Sequence, residues 1–521
     1  MDAINLSIFA NRIDAICGEM GATLQKSAFS PNIRDRLDYS CAIFDSKGEL
    51  CAQAAHIPVH LGSMAFAMHD VVSVISWSPG DMIVLNDPYK GGTHLPDVTV
   101  IAPMFINNDL IGFVANRAHH ADIGSDTPGS MPLSATLSEE GMIIEPALIV
   151  SNDEVDKIFF DDLMSNMRNP QESRGDFIAQ IAANRRGLAR LDALIEKMGA
   201  ISYLKSLQQL NDYAATLAKN GLAAITDGEY GFSDLLDDDG QGSNDIVIKA
   251  TISFNSGNVV VDFSGSNQQV AGNINCPLSV TAAAVYYVFR CLMPSQTPAC
   301  SGSFQNIKII APENCVVNAS FPAAVAAGNV ETSTRIVDVI LGALAKALPE
   351  KIPAASHGSM NNLAMGHVGD KHFSAWDYYE TIGGGMGASL MADGLDAVQT
   401  HMTNTLNTPI ESLEMNYPLR INKYQIRMGS AGDGLYHGGE GLTREYVFLE
   451  TAQVTILSER RKNQPWGLAK GSDAKGGENL LNGEPLHAKQ SFSVSTGDVV
   501  CINTAGGGGY GKSATSKNQK I

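Results

Sequence analysis

The apolar positions of the opening segment, MDAINLSIFANRIDAICGEM, recur with acids set among them and predict an amphipathic helix to about Lys26. The residue before a proline avoids helical dihedrals, so this helix stops near Ser30-Pro31. A charged stretch, Asn32 to Ser40, then leads into an apolar strand at Cys41–Phe44. Met82–Leu85 is a short apolar run followed by a turn-rich loop, NDPYKGGTHLPD. Two β-type runs, Val98–Phe105 and Leu110–Arg117, flank Asn107-Asn108, a pair that accepts turn dihedrals. They predict a hairpin in which the numbers of facing residues sum to about 215.

From Gln171 to about Gly228 the period becomes helical. Leu188, Leu191, Ile195 and Met198 mark one helix, and Leu204, Leu207, Leu210, Tyr213 and Leu217 a second, which together read as a helical hairpin. The acidic run DLLDDDGQGSND reads as a solvated linker, because its spacing does not fit an EF-hand. Alternation at Ile246, Ile248, Ala250, Ile252 and Phe254, then Val259–Phe263, predicts a second β-hairpin turning at Asn255–Asn258. Helices follow near Thr281–Met293 and Glu331–Leu348. From about Asn422 the chain is glycine-rich with short β runs such as Gln453–Leu457 and Asp498–Ile502, and the final KSATSKNQKI is expected to fray. The expected class is mixed α and β (α+β), multidomain. The expected regions are a metal-binding α/β region at 1–165, the helical hairpin at 166–230, an α/β region at 231–420 and a β-rich region at 421–521.

Composition narrows the function. Apolar residues make up 44% of 521, enough for full cores, and no run of 18 apolar residues offers a membrane span. The net charge of −19 repels phosphate backbones, which argues against nucleic acid as a partner. Eight cysteines are scattered without a CxxC pair, as expected of reduced, buried thiols in a cytoplasmic protein. The start has no basic leading region and is read as part of the mature chain.

The chemistry gathers at the first hairpin. With the register above, His94, Asp97 and His119 meet at its open end, where neighbouring strands are ~5 Å apart. Imidazole and carboxylate without cysteine suit a divalent transition ion: zinc, manganese or iron. Such an ion lowers the pKa of bound water toward ~7 and polarises a carbonyl. His119 and His120 point to opposite faces of a strand, so only one of them is a ligand; the other is a general acid/base, with His120 the candidate proton shuttle, or a hydrogen-bond partner of the substrate. Asp122 is the candidate carboxylate that orients a histidine. Asp38 is the best fourth ligand from the charged stretch, with Asp35 behind it.

Two glycine clusters invite a nucleotide reading. Gly506 to Ser513 satisfies GxxxxGK[ST], but a P-loop must open a helix, and only eight residues, mostly polar, follow. These glycines are expected to let backbones approach. Gly383 to Gly387 lacks the βαβ context of a dinucleotide site. The polar stretch Gln399 to Thr405 reads either as a satisfied buried loop or as a polar wall for a substrate.

The segments SPNIRDRLDYSCAIFD, LNDPYKGGTHLPDVTV, RAHHADIG, AAGNVETSTRIVDVILGALAKALP, YYETIGGGMGA, HMTNTLNTPIESLE, SERRKNQPWGL and TAGGGGYG together resemble the B-type subunit of the hydantoinase/5-oxoprolinase family. The metal-bearing subunit of acetone carboxylase is related. The resemblance implies a hydrolytic subunit of an ATP-dependent cyclic amidase. An A-type partner would bind ATP and phosphorylate a small cyclic amide in a heterotetramer or larger complex, and this chain would open the activated ring at its metal. It implies His94, Asp97 and His119 as metal ligands, with Asp38 the best match for an acidic fourth; Asp35 stands where many relatives have glutamate. Two other readings stand beside it: the metal-bearing subunit of an ATP-dependent ketone carboxylase, and a non-catalytic scaffold subunit.

Overall fold

The computed structural model describes residues 2–54, 57–369, 371–372 and 374–513; the last eight residues of the tail expected to fray lie outside them. The opening helix α1 (Ala3–Ser27) is capped by the Asp2 carboxylate, which accepts from the Asn5 N–H. Phe9, Ile13, Ile16, Met20 and Leu24 recur at helical spacing and form its buried face. Gly18 lies mid-helix, exposed, with nothing within 4 Å of where a Cβ would stand. Gly18→Ala is therefore expected to raise unfolding free energy by ~0.5–1 kcal/mol, read from urea midpoints.

A short turn of helix, α2 (Pro31–Arg34), leads into a seven-stranded sheet. Its strands are β1 (Tyr39–Asp45), β2 (Leu50–Ala54), β3 (Met82–Leu85), β4 (Asp97–Ile106), β5 (Asp109–His119), β6 (Ala147–Ser151) and β7 (Glu154–Val155), in the order β2-β1-β5-β4-β3-β6-β7. Helix α3 (Pro58–Ser73) covers one face, against Ala42, Phe44, Ile83, Leu85, Ile101 and Phe113. On the other face lie α1 and, after α4 (Lys157–Ser165), the long helix α5 (Pro170–Met198). Alternate strand residues therefore enter two different cores.

The first hairpin forms as expected, with Asn107 and Asn108 both at positive φ (49° and 68°). Its register needs one correction. Beside the turn, facing numbers sum to 215, but a bulge at Ile111 shifts the rest to 216. Asp97 thus faces His119 directly, where the unbulged register put it opposite Ala118. Gly112 follows the bulge and allows the backbone to press on β1; a Cβ there would lie 2.5 Å from the Phe44 carbonyl oxygen.

Helix α6 (Ala200–Leu222) follows α5 across Gly199 (φ 83°). Its first half packs in the core of the large sheet through Tyr203, Leu207 and Leu210. Its second half joins the next core through Ala218 and Leu222. The buried stripe runs through small residues, Ser206, Ala214, Ala215 and Ala218, so Leu204 and Tyr213 are exposed where the sequence reading put them inside.

The acidic run is not a linker. It is the end of β8 (Gly228–Asp238) and the turn into β9 (Asn244–Asn255), in a second sheet completed by β10 (Asn258–Asp262) and β11 (Ile307–Ile310). Asp234 pairs with Arg460 at 2.8 Å and Arg335 at 3.4 Å. Asp237 accepts from the N–H groups of Arg461, Lys462 and Asn463. Partners far along the chain compensate carboxylates that local reading exposes to water. Helices α7 (Leu278–Leu292) and α8 (Ser333–Ala347) cover this sheet.

The remaining chain forms two sheets on one shared core. One is β13 (Trp376–Glu380), β12 (Asn362–His367), β16 (Ala452–Leu457) and β19 (Lys489–Val494). The other is β14 (Leu419–Arg427), β15 (Gly441–Phe448), β20 (Val499–Asn503), β17 (Glu478–Leu481) and β18 (Glu484–Leu486), with α9 (Ile410–Asn416) before it. The glycines of the rejected P-loop lie against the other glycine cluster: a Cβ at Gly507 would be 2.0 Å from the Met386 carbonyl oxygen, and one at Gly385 2.4 Å from the Gly507 nitrogen. No helix among the described residues is long and apolar enough to cross a membrane. All eight cysteines are unpaired, and all but Cys291 are buried.

Candidate metal centre

Asp97 opens β4, His119 closes β5, and alternation sends both toward α3. His94 arrives from the loop before β4. Asn86 holds that loop: its amide donates to the carbonyls of Leu95 and Met142, and its oxygen accepts from Ile144 N–H. Gly92 sits where a Cβ would lie 2.4 Å from the Asn86 carbonyl oxygen, so the loop closes only with glycine there.

One carboxylate oxygen organises the centre. Asp97 Oδ1 lies 3.2 Å from His94 Nε2 and 3.2 Å from His119 Nδ1. The ligand atoms of His94, Asp97 and His119 all fall within 4.8 Å of one another, and all three residues are buried. Asp97 Oδ2 accepts from Thr93 Oγ1 at 2.7 Å and from Asn329 Nδ2 at 3.2 Å, and lies 3.3 Å from His60 Nε2. His94 donates from Nδ1 to the Ala326 carbonyl at 3.2 Å, which turns its Nε2 toward Asp97. Two buried ring nitrogens, His94 Nε2 and His119 Nε2, have no hydrogen-bond partner. A buried acceptor left bare is costly, and a cation is what satisfies an imidazole lone pair beside a carboxylate. The donor set therefore fits a divalent transition ion.

Electrostatics favour the ligating form at Asp97 and His119, while Asp97 favours the protonated form of His94. Burial alone would push the Asp97 carboxyl up, but His94 and His60 beside it hold it well below the usual carboxylate range. Burial opposes protonation of His94, yet Asp97 leaves it raised. Burial dominates at His119 and lowers it, which favours the neutral, ligating form.

Asp38 reaches the same cavity but stands beside His60, its Oδ1 3.9 Å from His60 Nε2, outside the three-residue cluster. Asp35 is turned away into an ion pair with Arg34. His120 and Asp122 are not brought to the cavity, which corrects the expectation of a shuttle and its orienting acid there. His120 faces α5, 3.0 Å from Gln180 Oε1 and against the Phe177 ring. Asp122 accepts from the N–H groups of Gly124, Arg168 and Asn169 and ties a loop to the start of α5. His120 turns to the face opposite its neighbour His119, and Asp122 lies in the loop after β5, which ends at His119.

Sequence reasoning missed His60, Asn329, Tyr379 and Glu140. His60 comes from the first turn of α3, and Asn329 from a π-helical turn, Gly328–Thr332, that precedes α8. Such turns often mark functional sites. Tyr379 stacks on His119 at 4.6 Å and 15°. Arg36 in turn donates to the Tyr379 carbonyl and to Thr381 Oγ1. Of the polar stretch at 399–405, Met402 and Thr403 line the cavity. The space itself is about 20 Å³, room for a single water.

Glu140 holds His94 indirectly. Its Oε1 accepts from Val325 N–H, Ala326 N–H and Ser134 Oγ. Glu140→Ala strands two buried N–H groups at ~1–3 kcal/mol each and frees the Ala326 carbonyl, so metal affinity should fall ~10–100-fold, measured by chelator competition. Glu140→Gln keeps Oε1 and should bind metal normally. Burial raises the Glu140 carboxyl to about 7. A raised folded-state pKa stabilises below the unfolded value and loses that stabilisation as pH rises through about 7. Wild type should therefore lose stability between pH ~4.5 and ~7 more steeply than Glu140→Gln, read from unfolding midpoints.

The chain is 42% identical to an uncharacterised protein of Methanocaldococcus jannaschii, over 98% of this chain and 91% of that one. It is 38% identical to a 5-oxoprolinase of Dictyostelium discoideum and 37% identical to 5-oxoprolinase 1 of Arabidopsis thaliana. It spans about two-fifths of those enzymes' length, 40% and 42%. The fold matches the ATP-dependent caprolactamase of Pseudomonas jessenii with a TM-score of 0.91 at 26% identity, over 98% of this chain and 91% of that one. It also matches acetone carboxylase with a TM-score of 0.88 at 17% identity, over 98% and 76% respectively, a likeness of fold. The match to the Hydantoinase B/oxoprolinase family runs from residue 2 to residue 513, and the chain belongs to that family.

Proposed function

We propose that this chain is the metal-bearing, ring-opening subunit of an ATP-dependent cyclic amidase. The observation that carries the reading is the buried Asp97 carboxylate shared by His94 and His119, with His119 Nε2 left without a partner. Matches to enzymes named 5-oxoprolinase and to a caprolactamase support ring amides as the substrate class. His94, Asp97 and His119 would hold a divalent ion, zinc, manganese or iron, and such an ion supplies a nucleophilic oxygen at neutral pH and stabilises charge on the reacting carbonyl. Asp38 would serve as the nearby acid of the same cavity.

A ring amide is resonance-stabilised and opens slowly. Phosphorylation of its oxygen on an A-type ATP-binding partner would make it a good electrophile, and this chain would then act on the activated carbon. Asp97 fixes both imidazoles. His60 lies between Asp97 and Asp38, and is the group placed to hold or pass a proton. Tyr379 closes one wall over His119 and keeps bulk water out. The reading puts the chain in the cytoplasm, where ATP is available and unpaired thiols stay reduced.

The test is reconstitution with the A-type subunit and ATP, scoring ring opening of a panel of lactams and hydantoins. Opening that needs both chains and stops on chelation supports the proposal. Full opening by the A-type subunit alone, or carboxylation of a ketone in its place, would overturn it.

A further inference from the structure

The π-helical turn before α8 reaches two walls of the metal cavity. Asn329 donates to Asp97 Oδ2 at 3.2 Å, and Asn329 and Val330 both line the cavity. Glu331, two residues on, reaches toward β12 and is wholly buried. Its Oε1 accepts from Met360 N–H at 2.9 Å and from Asn362 Nδ2 at 2.6 Å. Met360 lines the cavity itself. Asn362 Oδ1 accepts from Tyr379 Oη at 2.6 Å, and the Tyr379 ring lies on the His119 imidazole at 4.6 Å and 15°. One carboxyl group is thus joined by hydrogen bonds to the wall at Met360 and to the ring that covers His119, while its own turn carries the amide that holds Asp97.

Charge balance does not explain an acid at this place. Lys489 pairs with Glu459 at 2.6 Å, and Arg335 pairs with Glu459 at 3.3 Å and Asp234 at 3.4 Å. Glu331 forms no ion pair among the described residues. Burial, with Glu459 nearby, pushes its carboxyl up to about 8, so it stands as the neutral acid at neutral pH. A buried polar group without its hydrogen bonds is costly, and the Oε1 bonds are what hold this one in place.

We propose that Glu331 is a positioning residue of the metal centre. Through Asn362 it holds the Tyr379 ring over His119, and through the π-helical turn it sets the Asn329 amide against Asp97. Asp97 and His119 come from opposite strands of the hairpin, β4 and β5, so one brace fixes both. For the ion the inference rests on the metal-centre reading above.

The experiment reads the His119 ring by proton–nitrogen correlation NMR on the full chain without metal, ATP or partner. His119→Gln identifies its signal among those of the 12 histidines. Ring protons that lie over an aromatic face resonate upfield. Glu331→Ala should move the His119 signal downfield and weaken zinc binding ~10–100-fold, measured by chelator competition. Glu331→Gln keeps the Oε1 acceptor and should hold both at their wild-type values. Tyr379→Phe removes only the bond to Asn362 and should move the His119 signal the same way. Adding Glu331→Ala to it should move the signal little further, because the two act along one path. If Glu331→Ala does not fold, Glu331→Asp carries the test: it is too short to reach Met360 N–H and Asn362 together and should also shift the signal downfield. A folded Glu331→Ala or Glu331→Asp with the His119 signal unmoved, or with zinc bound as tightly as by wild type, overturns the proposal. So does full additivity with Tyr379→Phe, or a Glu331→Gln chain that behaves as Glu331→Ala. Because the signal is read without metal, a chain that shows these shifts yet binds no zinc would sink the metal reading and leave the brace over His119 standing.

Discussion

With the proposed function, Asp97→Asn is expected to lower ring opening by the chain and its A-type partner by at least about 10³-fold. A single preorganised electrostatic group is worth ~10²–10³-fold by mutagenesis, and Asp97 does more than one job. It would ligate the ion, it accepts from Thr93 and Asn329, and it neutralises the imidazoles around it. Asparagine keeps the shape and one acceptor oxygen but loses the charge, so the fold should survive while the site fails. The check is initial rate of ring opening alongside the thermal unfolding curve. A rate within tenfold of wild type would mean that Asp97 is structural. His120→Gln is the matching control: it touches Gln180 and Phe177, away from the cavity, and should keep its metal.

Gly507→Ala is expected to have a large effect on folding. The new methyl would fall 2.0 Å from the carbonyl oxygen and 2.2 Å from the carbonyl carbon of Met386. These are backbone atoms, held in turn by bonds of Met386 N–H to Leu395 and of Gly439 N–H to Met386, so they cannot swing aside as a side chain tip does. Overpacking typically costs ~1–3 kcal/mol, and a clash of two backbones belongs at or above the top of that range. Loss of soluble full-length chain, or a sharply lowered denaturant midpoint, is expected. Gly483→Ala is the comparison: Gly483 sits at φ 87° with nothing within 4 Å, so only dihedral strain of ~1–2 kcal/mol is at stake.

What could be read from sequence was local. The Asn107-Asn108 turn, the alternation of β9 and the helix through Lys26 each depend on neighbours a few residues away, and each formed as the pattern predicts. The His94, Asp97 and His119 constellation was legible for the same reason: one loop and one hairpin carry all of it. The register slipped by one because nothing in the apolar pattern marks Ile111 as a bulge. Asp234 and Asp237 looked solvated because their cationic and N–H partners arrive from Arg335 and the 460–463 segment. His60, Asn329 and Tyr379 were illegible in the same way. Each belongs to a different element, and only the packing of α3, the π-helical turn and β13 around the hairpin end brings them to Asp97 and His119. Alternation already set His120 on the face opposite His119; what the sequence does not show is that this face packs on Gln180 and Phe177 of α5 and leaves the Asp97 cavity to His119.

The most direct test of the account is metal content by elemental mass spectrometry on wild type and on the double substitution His94→Ala/His119→Ala. The account predicts about one divalent transition ion per wild-type chain and its loss in the variant, with both proteins folded. A wild type that stays empty after supplementation with zinc, manganese and iron would contradict it and leave the cluster a structural one.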